Sequence, residues 1–167
     1  TVNAAVDSPA EDNGAGTRYR CTGWTGTGSV PASGQGSSVS FPIITDSTLV
    51  WNWILQYLVT PLPTTNGSVW PDSPQWGDAG AASVFTANPM DGFAIQSWTV
   101  NGVAVKTGGL LYVRTNTGPA TIGATFVATT ISPTVVVRRS GQTNLPGTTA
   151  TFMADATGTF PLTYQWM

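Results

Sequence analysis

The side chains that most often carry out catalysis are scarce in this chain of 167 residues. It has no histidine, one cysteine, six basic residues and eight acidic residues. Without histidine, a Ser-His-Asp or Cys-His arrangement cannot form within the chain, and no glycine-rich phosphate loop with its lysine is present. A carboxylate pair for glycoside hydrolysis is conceivable, but the acids are scattered and lie mostly beside Gly, Pro, Ser or Asn, where Asp initiates turns. The sequence therefore predicts that the protein is not an enzyme.

Two segments contain acidic residues that could bind calcium. Asp72 and Asp78 flank a loop with proline and tryptophan, and Asp7, Glu11 and Asp12 share an earlier loop. Calcium takes about six to eight oxygen ligands, and neither segment has the regular Asp spacing of a calcium-binding loop. We therefore expect these acids to form turns or to face solvent. The sequence predicts no cofactor, with calcium as the alternative.

The single cysteine and the composition limit the remaining functions. Cys21 cannot form an intrachain disulfide, so we expect a small buried apolar residue, with an intermolecular bridge or a reactive thiol as alternatives. Only 8% of the residues are charged, against about 25% in average domains. The only adjacent basic pair is Arg138-Arg139, so nucleic-acid binding is not expected. No apolar run is long enough for membrane insertion within this segment, and a signal for export would lie outside it.

Tryptophan is the one residue type in conspicuous excess, with seven in the chain. Trp70 and Trp76 bracket a proline-containing segment that is predicted as a loop. These two residues are the best candidates for an exposed aromatic patch that binds a glycan or a neighbouring module. Trp51 and Trp53 share one face of a predicted strand. Packing in a core is the expected role of that pair, with a sugar-stacking platform as the alternative.

The elements that must position these side chains are predicted to be β-strands. The chain contains 19 glycines and 12 prolines. No long stretch of sequence both lacks these residues and shows the apolar spacing of a helix. The nearest candidate, residues 48–60, is rich in tryptophan and β-branched residues, which favour a strand. The sequence therefore predicts an all-β fold of short antiparallel strands and tight turns.

One sequence pattern occurs twice along the chain. A strand that contains Trp24 is followed by a Gly/Ser-rich loop and a strand that contains Trp53. A strand that contains Trp98 is likewise followed by a loop and a strand that ends near Phe126. Trp24 and Trp98 lie 74 positions apart, and Trp53 and Phe126 lie 73 apart, so an internal repeat is the economical explanation. Thr25-Gly26 and Asn101-Gly102 are the turns predicted after the two central tryptophans.

Residues 1–128 resemble the divergent internalin B-repeat modules of bacterial surface proteins. The motif is carried by Gly80, Val84, Ala87, Pro89, Gly92, Phe93, Trp98 and Phe126. The segment from Arg18 to Pro31 and the Leu-Val-Trp-Asn-Trp run at residues 49–53 look like a longer variant of the same module. The resemblance implies a packing pattern, with Trp24, Trp98 and Phe126 at core positions.

From Ile131 onward the sequence resembles the beginning of a bacterial immunoglobulin-like domain. The carrying feature is a Pro-Leu-x-Tyr-x-Trp run that ends at Trp166, which the resemblance makes a core residue. Such a domain needs about 100 residues, more than this segment provides. We therefore expect only part of an immunoglobulin-like sandwich.

The sequence predicts three segments and one leading function. Residues 1–55 are expected to be the C-terminal part of a first β-repeat module, residues 56–130 a complete second module, and residues 131–167 the N-terminal part of an immunoglobulin-like domain. We expect a non-catalytic structural or adhesive segment of a large exported bacterial surface or extracellular filament protein. Its expected partners are neighbouring modules, copies of the same protein, or glycans. The alternatives are a carbohydrate-binding accessory module of an exported enzyme and a fibre subunit assembled by β-strand donation.

Overall fold

A computed structural model of the chain describes residues 1–11, 14–138, 143–149, 154–159 and 161–165. These residues form β-strands and no helix, which confirms the all-β prediction. The strands are β1 (Val2–Ala5), β2 (Ala10–Glu11), β3 (Thr17–Thr27), β4 (Ser33–Gly34), β5 (Ser38–Phe41), β6 (Thr48–Pro61), β7 (Gly67–Trp70), β8 (Gln75–Asp78), β9 (Ala82–Pro89), β10 (Phe93–Val100), β11 (Val103–Thr107), β12 (Leu111–Thr115), β13 (Ala120–Ala128), β14 (Thr134–Arg138) and β15 (Ala154–Thr157). The described residues include no helix that could cross a membrane.

The chain forms two compact units, Thr1–Val127 and Ala128–Met167. The division lies three residues before the boundary predicted at residues 130 and 131. In the second unit, β14 and β15 form an antiparallel pair, and the Ile131 amide donates to the Thr159 hydroxyl at 2.7 Å. Trp166, the predicted core residue of this segment, lies outside the described residues.

The described residues of the first unit form three sheets. The large sheet has eight strands in the order β11-β10-β13-β6-β3-β2, with β4 added to β3 and β8 added to β6. A two-stranded sheet pairs β1 with β5, and a three-stranded sheet has the order β12-β9-β7. β6 pairs with β13 in parallel, whereas its pairings with β3 and β8 are antiparallel. The two small sheets pack against the large sheet and enclose its buried side chains.

The longest strand, β6, connects two hydrophobic cores. Its N-terminal half packs with a core formed by Trp24, Val30 and Phe41, and its C-terminal half contributes Val59 to a larger core around Trp98. The predicted module boundary at residues 55 and 56 falls inside this strand. No glycine or proline occurs between Thr48 and Thr60, so nothing in the local sequence ends the strand there.

The strand pairing of residues 1–61, which we name the first repeat, recurs in residues 82–128. We name these residues, together with β7, the second repeat. In the first repeat, β3 pairs with β4 and β6, while β1 and β5 form a separate small sheet. In the second repeat, β10 pairs with β11 and lies beside β13, while β9 and β12 pair in a separate small sheet. Trp24 on β3 and Trp98 on β10 therefore occupy equivalent places, as the sequence repeat predicts.

One of the two predicted turns is correct and the other is wrong. Asn101 and Gly102 have φ angles of 50° and 80° and connect β10 to β11 as a two-residue hairpin, in which both residues need positive φ. Thr25-Gly26 instead continues β3 and pairs with β6. At Gly26 the missing side chain lets Val30 pack directly on the strand. This glycine therefore allows the chain after β3 to lie close to β3, and the turn itself follows at Gly28.

Candidate functional site

The two repeat tryptophans lie in the interior. Trp98 is completely buried, donates from its indole Nε1 to the Gly109 carbonyl at 2.9 Å, and stacks on Tyr112 with the ring centroids 5.5 Å apart. Trp24 is 9% exposed, and its indole nitrogen has no partner among the described residues. Both side chains hold sheets together, and neither is available to a ligand.

Trp51 also belongs to the interior, although the sequence left its role open. Its ring meets that of Trp24 edge to face, with the centroids 5.9 Å apart. It is partly buried against the core of the first repeat. Edge-to-face packing is a favourable arrangement of two aromatic rings. The sugar-stacking alternative is therefore not supported at this position.

Trp53 lies on the same strand as Trp51 but is open to solvent. It is 39% exposed, and Tyr19 on the adjacent strand β3 is 50% exposed. These two rings and Ala10 line one open cleft with a volume of about 380 Å³. Tyr19 pairs with Leu55 and Cys21 pairs with Trp53, so the two aromatic side chains are diagonal neighbours on one face. We name this feature the Tyr19–Trp53 cleft.

Trp70 is the most exposed of the described tryptophans, at 66%. It ends β7 and pairs with Thr86 on β9, which in turn pairs with Leu111 on β12. Because side chains alternate across a strand, these three residues share the outer face of the three-stranded sheet. Val84 and Val113 form the next pair on that face, and both are about half exposed. The outer face is therefore an uncharged surface with one large aromatic ring, which we name the Trp70 face.

Trp76 does not lie in a loop, contrary to the prediction. It belongs to β8 and pairs with Leu58 on β6, and the Arg18 guanidinium lies 4.3 Å from the centroid of its ring. The following residue, Gly77, allows β8 to approach the buried Asn116 side chain, which a Cβ at position 77 would meet. Trp76 is therefore half-buried and stacked, and it does not join Trp70 in one exposed patch.

A polar row crosses β3, β6 and β8 beside Trp76. Arg18 Nε donates to Gln56 Oε1 at 2.8 Å, and Gln56 Nε2 donates to Asp78 Oδ1 at 2.6 Å. Arg20 donates to both Asp78 oxygens at 3.3 and 3.1 Å. Gln56 is only 6% exposed, so both ends of its amide are satisfied where water has little access. The row stabilises the junction of three strands.

The pKa of the Asp78 carboxyl is lowered from its usual 3.8. The hydrogen bond from Gln56 is the main cause, and the hydrogen bond and charge of Arg20 act in the same direction, while partial burial opposes them. A carboxyl with a lowered pKa in the folded state adds stability above its unfolded pKa, and this stability is lost as the pH falls through the folded value.

We expect an Asp78→Asn variant to lose the part of the pH-dependent stability that Asp78 contributes. At neutral pH it should be less stable than the native chain by less than about 1 kcal/mol, since the ion pair is partly exposed to solvent. Below about pH 4, near the unfolded pKa, the difference should shrink towards zero as Asp78 takes up its proton. Urea denaturation at a series of pH values measures both limits. A constant difference across the acid range would contradict the role given to Asp78.

Asp72 and Asp78 are two of the acids considered for calcium whose side chains the structure describes. Asp78 is engaged by Arg20 and Gln56, while Asp72 lies at the surface beside the pocket that Pro61 and Leu62 help to form. Asp12 lies outside the described residues. Within the described part of the chain, no group of three or more His, Cys, Asp or Glu side chains could hold a metal ion.

Cys21 is a free and buried thiol, 6% exposed. Its sulfur lies 3.4 Å from the Gly36 carbonyl oxygen and 3.5 Å from that of Gly23. The side chain is thus covered by the loop that precedes β5. This placement corresponds to the small buried residue expected from the sequence.

Phe126, the second-repeat counterpart of Trp53, is partly buried against the larger core. Its ring lies on Gly67 of β7, where an added Cβ would come within 2.6–2.7 Å of the ring. Gly67 therefore provides the room that this aromatic side chain needs.

Sequence reasoning missed Tyr19 and the polar row. Arg18 and Arg20 are two residues apart in a strand, so their shared face could have been noticed from the sequence. Their partners lie 38 and 58 residues away, and no local pattern points to them. Tyr19 matters because Trp53 lies beside it on the neighbouring strand, which only the register of β3 and β6 reveals.

No protein-family model, curated protein or solved structure matches this chain. The side chains themselves are therefore the basis for the chemistry of the site. Three aromatic features distinguish it: the Tyr19–Trp53 cleft, the Trp70 face and the stacked Trp76 of the polar row.

Proposed function

We propose that the chain is a non-catalytic structural and adhesive segment of a large exported bacterial surface or extracellular filament protein. The observation that carries this proposal is the repeated strand pairing around Trp24 and Trp98. Tandem units that share strands and bury aromatic cores favour an extended scaffold, in which each unit is stabilised by its neighbours. The sparse charge of the chain and its resemblance to B-repeat modules support the same proposal.

Antibodies against this segment test the proposal on the source cells. We expect them to label intact, non-permeabilised cells or filaments outside them, because an adhesive scaffold must be exposed. An antibody against a cytoplasmic protein of the same cells provides the control for membrane integrity. Labelling that appears only after permeabilisation would rule the proposal out.

The Trp70 face favours a second candidate function. The chain would bind a neutral polysaccharide, as a carbohydrate-binding accessory module does. Trp70 is exposed at the end of β7, and its in-register neighbours Thr86 and Leu111 are uncharged. An aromatic ring can stack on the apolar face of a sugar ring, and a surface without charge suits a neutral glycan.

We expect Trp70→Ala to weaken binding to a neutral polysaccharide at least about tenfold, as for an aromatic hot spot. The melting temperature should change little because the side chain is exposed. Isothermal titration with a panel of soluble polysaccharides measures the affinity. Trp53→Ala is the matched control, since it removes the same side chain from another face. Equal loss in both variants, or no binding by the native chain, would dismiss the Trp70 face as a glycan site.

A further inference from the structure

The two repeats differ in one strand. In the second repeat, β9 is the central strand of its small sheet, with β12 on one edge and β7 on the other. In the first repeat, the equivalent strand β1 pairs with β5. On the opposite edge of β1, no strand of the described residues is paired. The first repeat therefore has an open position where the second repeat has β7.

The same missing strand accounts for the Tyr19–Trp53 cleft. In the second repeat, Gly67 of β7 lies directly on the ring of Phe126. In the first repeat the counterpart of Phe126 is Trp53, which is 39% exposed beside Tyr19. A strand placed on the free edge of β1 in the manner of β7 would therefore cover Trp53. The open backbone edge and the open aromatic cleft are two signs of one vacant position.

The free edge of β1 has backbone groups available for pairing. The Val6 amide donates to the Ser37 carbonyl at 3.0 Å, which makes these two residues a hydrogen-bonded pair. Such pairs alternate with non-hydrogen-bonded pairs along an antiparallel ladder. The amides of Asn3 and Ala5 therefore point away from β5, towards the free edge.

The β1 edge also lacks the features that usually prevent strand addition. Its residues, Val2–Ala5, include no charge and no proline, and their register with β5 is regular. The edge strand β11 of the large sheet, in contrast, has a bulge opposite Trp98 and contains Lys106. Bulges and lysines protect sheet edges from pairing with other chains. Of these two edges, β1 is the one suited to accept a strand.

We propose that the free edge of β1 and the Tyr19–Trp53 cleft form one acceptor for an extended strand of the β7 type, supplied by a neighbouring repeat module. The strand runs antiparallel to β1, as β7 runs to β9. It places a glycine against Trp53, as Gly67 lies against Phe126, and a buried apolar residue two positions later, as Val69 does in the second repeat. Backbone hydrogen bonds provide affinity and the two side-chain positions provide specificity.

The test uses the full chain labelled with ¹⁵N and an unlabelled peptide with the sequence of residues 64–73, which contains the Gly-Ser-Val-Trp segment of β7. We expect the peptide to shift the amide signals of Asn3 and Ala5 and the indole signal of Trp53. It should also slow hydrogen exchange at the two amides.

Variants of the peptide and of the chain separate pairing from unspecific contact. In the peptide, Gly67→Val should clash with Trp53 and Val69→Asp should oppose burial, and each leaves the folded chain untouched. In the chain, Ala5→Pro removes one outward amide and should weaken binding about tenfold, the effect of one backbone hydrogen bond. Ala82→Pro, in the strand whose edge β7 already occupies, serves as the control and should not change the affinity for the added peptide.

Three results would overturn the proposal. The first is no shift of Asn3 and Ala5 at millimolar peptide, and the second is binding of both peptide variants with the same affinity as the unchanged peptide. The third is binding of a neutral oligosaccharide at Tyr19 and Trp53 without any peptide binding, which would assign the cleft to a sugar. The proposal rests on strand topology, so its failure would be distinguishable from a failure of the antibody labelling that tests the cellular location.

A fusion protein tests whether a preceding repeat module is the source of the strand. A second copy of residues 56–81, placed before Thr1, supplies a β7 segment in the same order as in the second repeat. We expect Trp53 to become protected from solvent quenchers while the protein remains a monomer in sedimentation. Unchanged quenching of Trp53 would contradict supply by a preceding module.

Discussion

Replacing Trp98 with alanine should lower the free energy of unfolding by about 3–5 kcal/mol, the range found for large aromatic residues in cores. Trp98 is completely buried, stacks on Tyr112 and donates to the Gly109 carbonyl. Alanine leaves a cavity at the centre of the larger core and an unpaired carbonyl at its rim. Domains are stable by only about 5–15 kcal/mol, so the variant should be near the limit of folding.

Urea denaturation followed by far-ultraviolet circular dichroism measures this loss. The matched control is Trp70→Ala, which removes the same side chain from a position that is 66% exposed and should cost less than about 0.5 kcal/mol. A loss below about 2 kcal/mol for Trp98→Ala would mean that the second repeat closes over the cavity, and it would contradict the central role given to this residue.

The phenylalanine variants of the two repeat tryptophans separate packing from hydrogen bonding. Trp98→Phe removes the bond to Gly109, whereas the Trp24 indole nitrogen has no partner among the described residues. We expect Trp98→Phe to cost about 1 kcal/mol more than Trp24→Phe, the net value of one hydrogen bond. Equal losses of unfolding free energy in the two variants would show that the hydrogen bond to Gly109 adds nothing to stability.

The features that the sequence predicts well are those set by local pattern and by repetition. Short strands, the Asn101-Gly102 hairpin and the equivalence of Trp24 with Trp98 follow from residue types and spacing within a few tens of residues. Period-two alternation also places Trp51 and Trp53 on one face. It does not predict that one ring packs on Trp24 and the other faces solvent, because that difference depends on which strands of the small sheet lie above them.

Long-range pairing explains the predictions that fail. Trp70 and Trp76 look alike in the sequence, each beside a proline-rich segment. Trp76 is nevertheless held under Arg18, because β8 pairs with β6 and places both side chains on one face. Thr25-Gly26 has the composition of a turn, yet ten pairs hold β3 against β6, among them those of Thr25 and Gly26. In both places the pairing of a distant strand outweighs the local preference.

The second large effect is expected at Gly23, which pairs with Asn52 directly after the bulge at Thr22 in β3. Gly23 has a φ of 144°, a conformation that is open essentially to glycine alone. A Cβ there would overlap the Gly34 carbonyl oxygen and come within 3.0 Å of the Gln35 Cα. Gly23→Ala should therefore destabilise the first repeat by about 4 kcal/mol or more, since steric overlap with backbone adds to the dihedral strain.

Two further glycines provide the controls for Gly23→Ala. Gly36 has a φ of 91° with open space around it, so Gly36→Ala should show the strain alone, about 1–2 kcal/mol. Gly118 has open space and no positive φ, so Gly118→Ala should change stability by less than about 0.5 kcal/mol. Urea denaturation of the three variants ranks them. If Gly23→Ala were no worse than Gly36→Ala, the two-residue strand β4 would have to move aside at no cost. Gly34 on β4 lies against the indole of Trp24, so β4 would then have no part in covering that ring.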